Sequence, residues 1–454
     1  MHGYSDNASS KVINKYGEDA NAAAITAAGK SVGLGLTDEE YAHYSVAAAR
    51  YAEWVRQGLN AFKAHGVYNV EYVLPFTETG YSFTNPDTKE VDTTYTYDEW
   101  TLMVIALNDA LEKEGNRNNY KFIGPAQSIY AYQNRLSFIE YLYSKITGTD
   151  YENLLDINAM HQYTSPNTRA GYKSTVYEPY ASYSLADENF NYYNDVLVNS
   201  GVRDMEFWCD EYFAHSPDAK WWNNVGMQMT QFAAGLTAGI NTGVNRFLTW
   251  QMFDTLWDSE ATHGDAVLTN SSEFSGGIHA VGTCPSLVHV DGKVCPKGED
   301  CACTKNYNIS SYVPRTTYYG INLIGKYMNN ENAKVFATEV IDQATNDNGG
   351  VYVSAIKNDY GKTVILVVNT MPTTSSVEVN LENQDIINFN RYTYDPNEIV
   401  PTAEAKSLPS DKTISLNGTN AFFDVIPAQS FAIYVEGGTF IGDDVEMPFE
   451  SWDD

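Results

Sequence analysis

The chain of 454 residues carries 28 Lys and Arg against 58 Asp and Glu, a formal charge of -30, with 43% hydrophobic residues. That balance disfavours nucleic acid or an anionic lipid surface as a partner, since both need clustered cations, and no run of about 18 apolar residues offers a membrane span. What is left is a globular chain long enough for two domains, whose 34 tyrosines and 8 tryptophans suit either stacking on sugar rings or ordinary packing.

The chain opens on Met1 without a basic segment followed by an apolar run, so no signal peptide is legible. Residues 38 to 65 repeat Tyr44, Ala48, Tyr51, Trp54, Val55, Leu59 and Phe62 at helical spacing, behind a Thr37/Glu40 capping box and before Gly66. A buried strand is expected from Tyr68 to Pro75, and a second capping box, Thr96 with Glu99, opens a helix that ends near Gly115. Strand-like runs recur at 120–126, 154–161, 203–210 and 245–251, with helix-like stretches at about 131–147, 186–200 and 220–239 between them. This alternation predicts a parallel α/β sheet.

Four of the five cysteines, Cys284, Cys295, Cys301 and Cys303, fall in one Pro-, Gly- and Lys-bearing segment. They read as a disulfide-stapled surface loop, with a zinc knuckle as the rival, disfavoured because no paired C-x2-C is present. Cys209 reads as a small buried hydrophobe. Asn7, Asn270, Asn308 and Asn417 head glycosylation sequons, which are weak signals taken singly. With the cysteines they point to an extracellular, secreted protein.

After a closing helix at Thr316 to Met328, alternating runs at 351–356, 363–368, 376–380 and 430–435 describe a small antiparallel β-sandwich. The expected division is a catalytic domain over 1–330, a sandwich over 331–437 and an acidic, disordered tail over 438–454.

The chemistry concentrates in two stretches, Val73 to Gly80 and Phe207 to Phe213, each placing a glutamate, Glu78 or Glu211, at the end of an apolar strand among aromatic residues. A single glutamate in so acidic a chain is usually a solvated surface group. Two at the ends of strands in one sheet supply what glycosidic cleavage needs, an acid for the leaving oxygen and a carboxylate for the developing oxocarbenium ion. Asp210, next to Glu211, is expected on the opposite side of its strand in a structural role. His65, His215 and His263 have no metal-ligand spacing, and no dinucleotide or phosphate-binding loop is present, so no cofactor is expected.

On these motifs, residues 38 to 437 resemble clan A of the glycoside hydrolases, the (β/α)8 TIM-type barrel retaining enzymes, among them families 39 and 30. The resemblance implies that Glu78, ending the fourth barrel strand, is the acid/base, and that Glu211, ending the seventh, is the nucleophile. His161 and Tyr163 stand where the sixth strand places a His and a Tyr near the nucleophile. Trp250 stands where the eighth places a tryptophan under the sugar, with Gln251 and Trp208 as further substrate contacts. Core packing is the competing reading for Trp250, and for Trp208 the slightly favoured one. The substrate class implied is a poly- or oligosaccharide.

The chain departs from the clan pattern twice. Thr77 replaces the Asn that usually precedes the acid/base and bonds the sugar 2-hydroxyl, a contact worth several kcal/mol in the transition state. Only 67 residues precede the expected fourth strand, so an incomplete barrel of strands four to eight, from an N-terminally truncated gene, is expected. Both departures keep a second function open, a carbohydrate-binding protein that is catalytically impaired.

Overall fold

A computed structural model describes residues 21–77, 82–84, 91–93, 96–128, 137–164, 181–214, 225–249, 279–281, 312–314, 316–329, 331–341, 349–382, 386–399 and 407–437. Glu78, Trp250, Gln251, Cys284, Cys295, Cys301, Cys303, the sequons at Asn7, Asn270 and Asn308, and the 438–454 tail lie outside them. The chain divides into two compact units, residues 1–162, 191–211 and 244–248 in one and the remainder in the other.

The first unit begins with helices α1 (Ala22–Ser31) and α2 (Asp38–Ala64), then a short strand β1 (Tyr72–Val73). The hairpin β2 (Ser82–Thr84) and β3 (Val91–Thr93) leads into α3 (Tyr97–Lys113). Both expected capping boxes are present: Thr37 and Thr96 each accept the N–H of the glutamate three residues on at 3.2 Å, and each glutamate accepts the threonine N–H at 2.7 Å. Gly66, at φ +85°, ends α2 in the left-handed conformation that glycine adopts without steric cost. Helix α1 has no apolar periodicity, and sequence reading missed it. Packing makes it: a Cβ at Gly29 would sit 2.7 Å from Leu102 Cδ1 and 2.9 Å from Tyr41 Cε1, so any larger residue there would have to displace these side chains of α2 and α3.

Strand and helix then alternate through β4 (Lys121–Ser128), α4 (Ser137–Ile146), β5 (Ile157–Thr164), α5 (Ala181–Asn199), β6 (Glu206–Ala214), α6 (Val225–Thr242) and β7 (Arg246–Thr249). The sheet order is β1-β4-β5-β6-β7, with β1 parallel to β4 and β4 parallel to β5. The first strand is shorter than its sequence pattern predicts, because Tyr68 is 79% exposed and pairing begins only at Tyr72.

Each strand divides its side chains between two faces. Asn158 and Phe207 face helices: Tyr143 of α4 donates to Asn158 Oδ1 at 2.9 Å, and Tyr193 of α5 stacks on Phe207 at 4.7 Å and donates to the Ala159 carbonyl at 3.0 Å. Ile123, Ile157, Ala159 and Trp208 form one buried cluster with Tyr72 and Leu74 on the other face. At the amino ends of the strands, Asp156 accepts from Arg117 Nη2 and from the Phe122 N–H, each at 2.8 Å, and the buried guanidinium also bonds Asn108 and the Tyr120 carbonyl. One ion pair thus joins the turn after α3 to the start of β5.

The second unit contains the pair β8 (His279–Val281) and β9 (Tyr312–Pro314), helix α7 (Thr316–Met328) and the C-terminal strands. These are β10 (Lys334–Phe336), β11 (Val351–Lys357), β12 (Thr363–Asn369), β13 (Ser375–Asn380), β14 (Asn388–Tyr394), β15 (Lys412–Ser415), β16 (Ala421–Ile426) and β17 (Ser430–Glu436). They form an antiparallel sheet ordered β10-β11-β12-β17-β14-β15 and the separate pair β13-β16, enclosing a core that includes Ile365, Val367, Phe389, Phe422 and Tyr434. Asp424, buried between them, is bonded by Arg391, Lys412 and Tyr434.

Candidate active site

The site is built on the carboxyl ends of β1, β5 and β6. Helix α2 fixes the first of these: the Tyr51 hydroxyl donates to the Pro75 carbonyl, and its ring stacks on Phe76 at 4.2 Å. Thr77 follows, and its Oγ1 lies 3.1 Å from His161 Nε2. His161 continues the face that carries Ile157 and Ala159, away from the helices, and is 0% exposed.

Glu211 reaches the same ring from β6. Its Oε2 is 3.3 Å from His161 Nδ1, and its side chain is 12% exposed. Asp210 is not on the opposite side. Its Oδ2 lies 3.6 Å from His161 Nε2 with the side chain 5% exposed, so two consecutive carboxylates flank one imidazole. Strict alternation would separate Asp210 from Glu211. Within β6 these two residues depart from it, and there the Cys209 thiol donates to the Glu211 carbonyl at 3.4 Å. Cys209 itself is a free, buried thiol, and burial pushes its pKa well above the usual range.

The remaining sequence-predicted residues are placed as follows. Trp208 is 4% exposed, packed in the Ile123, Ile157 and Ala159 cluster, and donates from Nε1 to Glu206 at 2.7 Å. Tyr163 lies on β5, two residues beyond His161. Glu78 follows Thr77 directly in the chain, and with Trp250 and Gln251 it lies outside the described residues. Sequence reading missed the part of Asp210; the adjacent acidic pair at the strand end was its visible signal.

Chemically, the cluster is a recessed carboxylate backed by an imidazole, at the end of a strand in a sheet whose determined pairings are parallel, where α/β folds place reactive groups. No family model matches the chain, and no curated protein matches it. Solved structures do. The catalytic domain of family 30 xylanase C from Talaromyces cellulolyticus aligns at 14% identity over 86% of this chain and 67% of that one, with a TM-score of 0.50. A family 30 subfamily 8 xylanase from Clostridium acetobutylicum aligns at 15% identity over 89% and 73%, with a TM-score of 0.45. A family 30 endoxylanase from Clostridium papyrosolvens aligns at 16% over 86% and 84%, with a TM-score of 0.42. The likeness to the Talaromyces domain is one of fold: strands of one sheet alternating with helices, followed by antiparallel sheets.

Proposed function

We propose that the chain is a retaining glycoside hydrolase acting on a poly- or oligosaccharide, with Glu211 as nucleophile and Glu78 as acid/base. The observation that carries this reading is the placement of Glu211, a recessed carboxylate in the carboxyl-terminal half of β6 with Oε2 3.3 Å from a buried imidazole. An N–H from that ring stabilises the ionised carboxylate and orients it.

In the first step Glu211 attacks the anomeric carbon, the glycosidic C–O bond breaks, and Glu78 delivers its proton to the leaving oxygen. In the second, Glu78 takes a proton from water, the hydroxide displaces Glu211, and the free sugar leaves with its original anomeric configuration. Phe76 and Tyr81 flank Glu78 in sequence, and apolar neighbours of that kind favour the protonated form of a carboxyl group. Thr77 bonds His161 in this structure, so it stands in the site as a partner of the ring.

Among the described residues no helix is long and apolar enough to cross a membrane. With the carbohydrate substrate and the clustered cysteines, secretion is the localisation we propose.

A second reading, sugar binding without cleavage, draws on that engagement of Thr77, which leaves its hydroxyl committed to His161 instead of to a 2-hydroxyl. Turnover separates the two. Assayed on aryl glycosides and on xylan, the polymer for which the Talaromyces enzyme is named, the unaltered chain is expected to cleave one of them, and Glu211→Gln to lose at least about 10³-fold in kcat while still binding it. Equal turnover by Glu211→Gln, or tight binding with no cleavage by the unaltered chain, would remove the retaining-glycosidase reading.

A further inference from the structure

Asp210 has no part in the double displacement, yet its position is costly. Its side chain is 5% exposed, and Oδ1 is buried without a hydrogen-bond partner among the described residues. An ionised carboxylate in such a place needs a compensating charge, and a second carboxylate next to it in the chain raises the cost through like-charge repulsion.

The ring between them supplies the compensation. Asp210 lies toward Nε2 and Glu211 toward Nδ1, at 3.6 and 3.3 Å. A neutral imidazole has one N–H and one lone pair, so it can present an N–H to only one of the two carboxylates. An imidazolium presents an N–H to each. The Thr77 hydroxyl lies 3.1 Å from the same Nε2, so it shares that side of the ring with Asp210. Other titratable groups tied to the cluster include Cys209 on β6 and Tyr193 on α5, both held neutral by burial, so neither competes as a charge.

We propose that Asp210 is a positioning residue that acts through His161: it holds the ring as an imidazolium, whose Nδ1–H fixes the Glu211 carboxylate ionised and aimed for attack. The catalytic half of this inference rests on the reading of Glu211 as nucleophile, whereas the charge state of His161 does not.

The test is a pH titration of the full chain labelled with 15N-histidine, followed through the imidazole nitrogens, with the His161 signals assigned by His161→Gln. Both nitrogens of His161 are expected in the imidazolium range at about pH 7.5, with a midpoint at least about one unit above the unperturbed value near 6.5. Asp210→Asn should lower that midpoint by about one unit or more and cut kcat about tenfold with KM within about twofold, and Asp210→Glu should restore most of both. A neutral His161 at pH 7.5 in the unaltered protein overturns the proposal without any variant, and so does a midpoint that Asp210→Asn leaves in place. The two readings fail separately. A neutral His161 in an active glycosidase removes the role of Asp210 alone; a cationic, Asp210-dependent His161 in a chain that cleaves no glycoside upholds the link and removes the glycosidase reading.

Discussion

Cys209 and Glu211 stand two residues apart on one strand and have different surroundings. Cys209 is enclosed, and burial raises its thiol well above the ordinary range. Glu211 keeps 12% of its side chain exposed and has an imidazole partner. The thiol should therefore resist iodoacetamide in the native protein at neutral pH and react within minutes in denaturant, read by peptide mass at Cys209; prompt native alkylation there would contradict its burial. At this scale the sequence is a partial guide. The motifs bring His161 and Glu211 to neighbouring strand ends, and the geometry has them 3.3 Å apart. Asp210 escapes such reading because period-two alternation, the rule that assigns a strand residue to a face, breaks within β6, where Asp210 and Glu211 both reach the His161 ring.

Elements are legible where local chemistry dictates them. Both capping boxes lie at the positions their Thr and Glu residues announce, and α7 spans Thr316–Met328 as its pattern predicts. Helix α1 and strands β10, β14, β15 and β16 escaped detection because they form through packing, not through local periodicity. In β14, Asn388–Tyr394, polar and aromatic residues intermix, and the strand is recruited by pairing with β17 from Phe389 to Tyr394.

Asp424 on β16 is another such product of tertiary structure. Burial pushes its carboxyl up, but hydrogen bonds from Lys412, the Val425 N–H and Tyr434, with the charge of Arg391, outweigh that and hold it below the usual carboxylate value. A carboxylate lowered in the folded state stabilises above its unfolded pKa of about 3.9, and that contribution disappears as pH falls through the folded value. Asp424→Asn should cost about 3 kcal/mol at neutral pH, with the deficit shrinking as pH drops below about 4, measured by urea unfolding across pH. A deficit independent of pH would contradict the charge as its cause.

At the scale of the whole molecule, the strand and helix alternation is the most legible feature, since each unit carries its own apolar strand and amphipathic helix. The sheet order β1-β4-β5-β6-β7 follows the order of the chain. Less legible is the net charge of -30, which bears on stability and leaves the fold unspecified. Self-repulsion of this size is screened by salt, so Tm should rise by several degrees between about 20 mM and about 0.5 M sodium chloride. A Tm that falls over that range would mean that attractive ion pairs outweigh the excess of acid.

The central claim is that Glu211 attacks the sugar. Trapping tests it most directly: the chain is incubated with a panel of 2-deoxy-2-fluoroglycosyl fluorides, which form the covalent intermediate and release it slowly, and the adduct is located by peptide mass spectrometry. The account predicts one stoichiometric label on Glu211, absent in Glu211→Gln. A label on another residue, or cleavage of a glycoside with inversion of its anomeric centre, would contradict it.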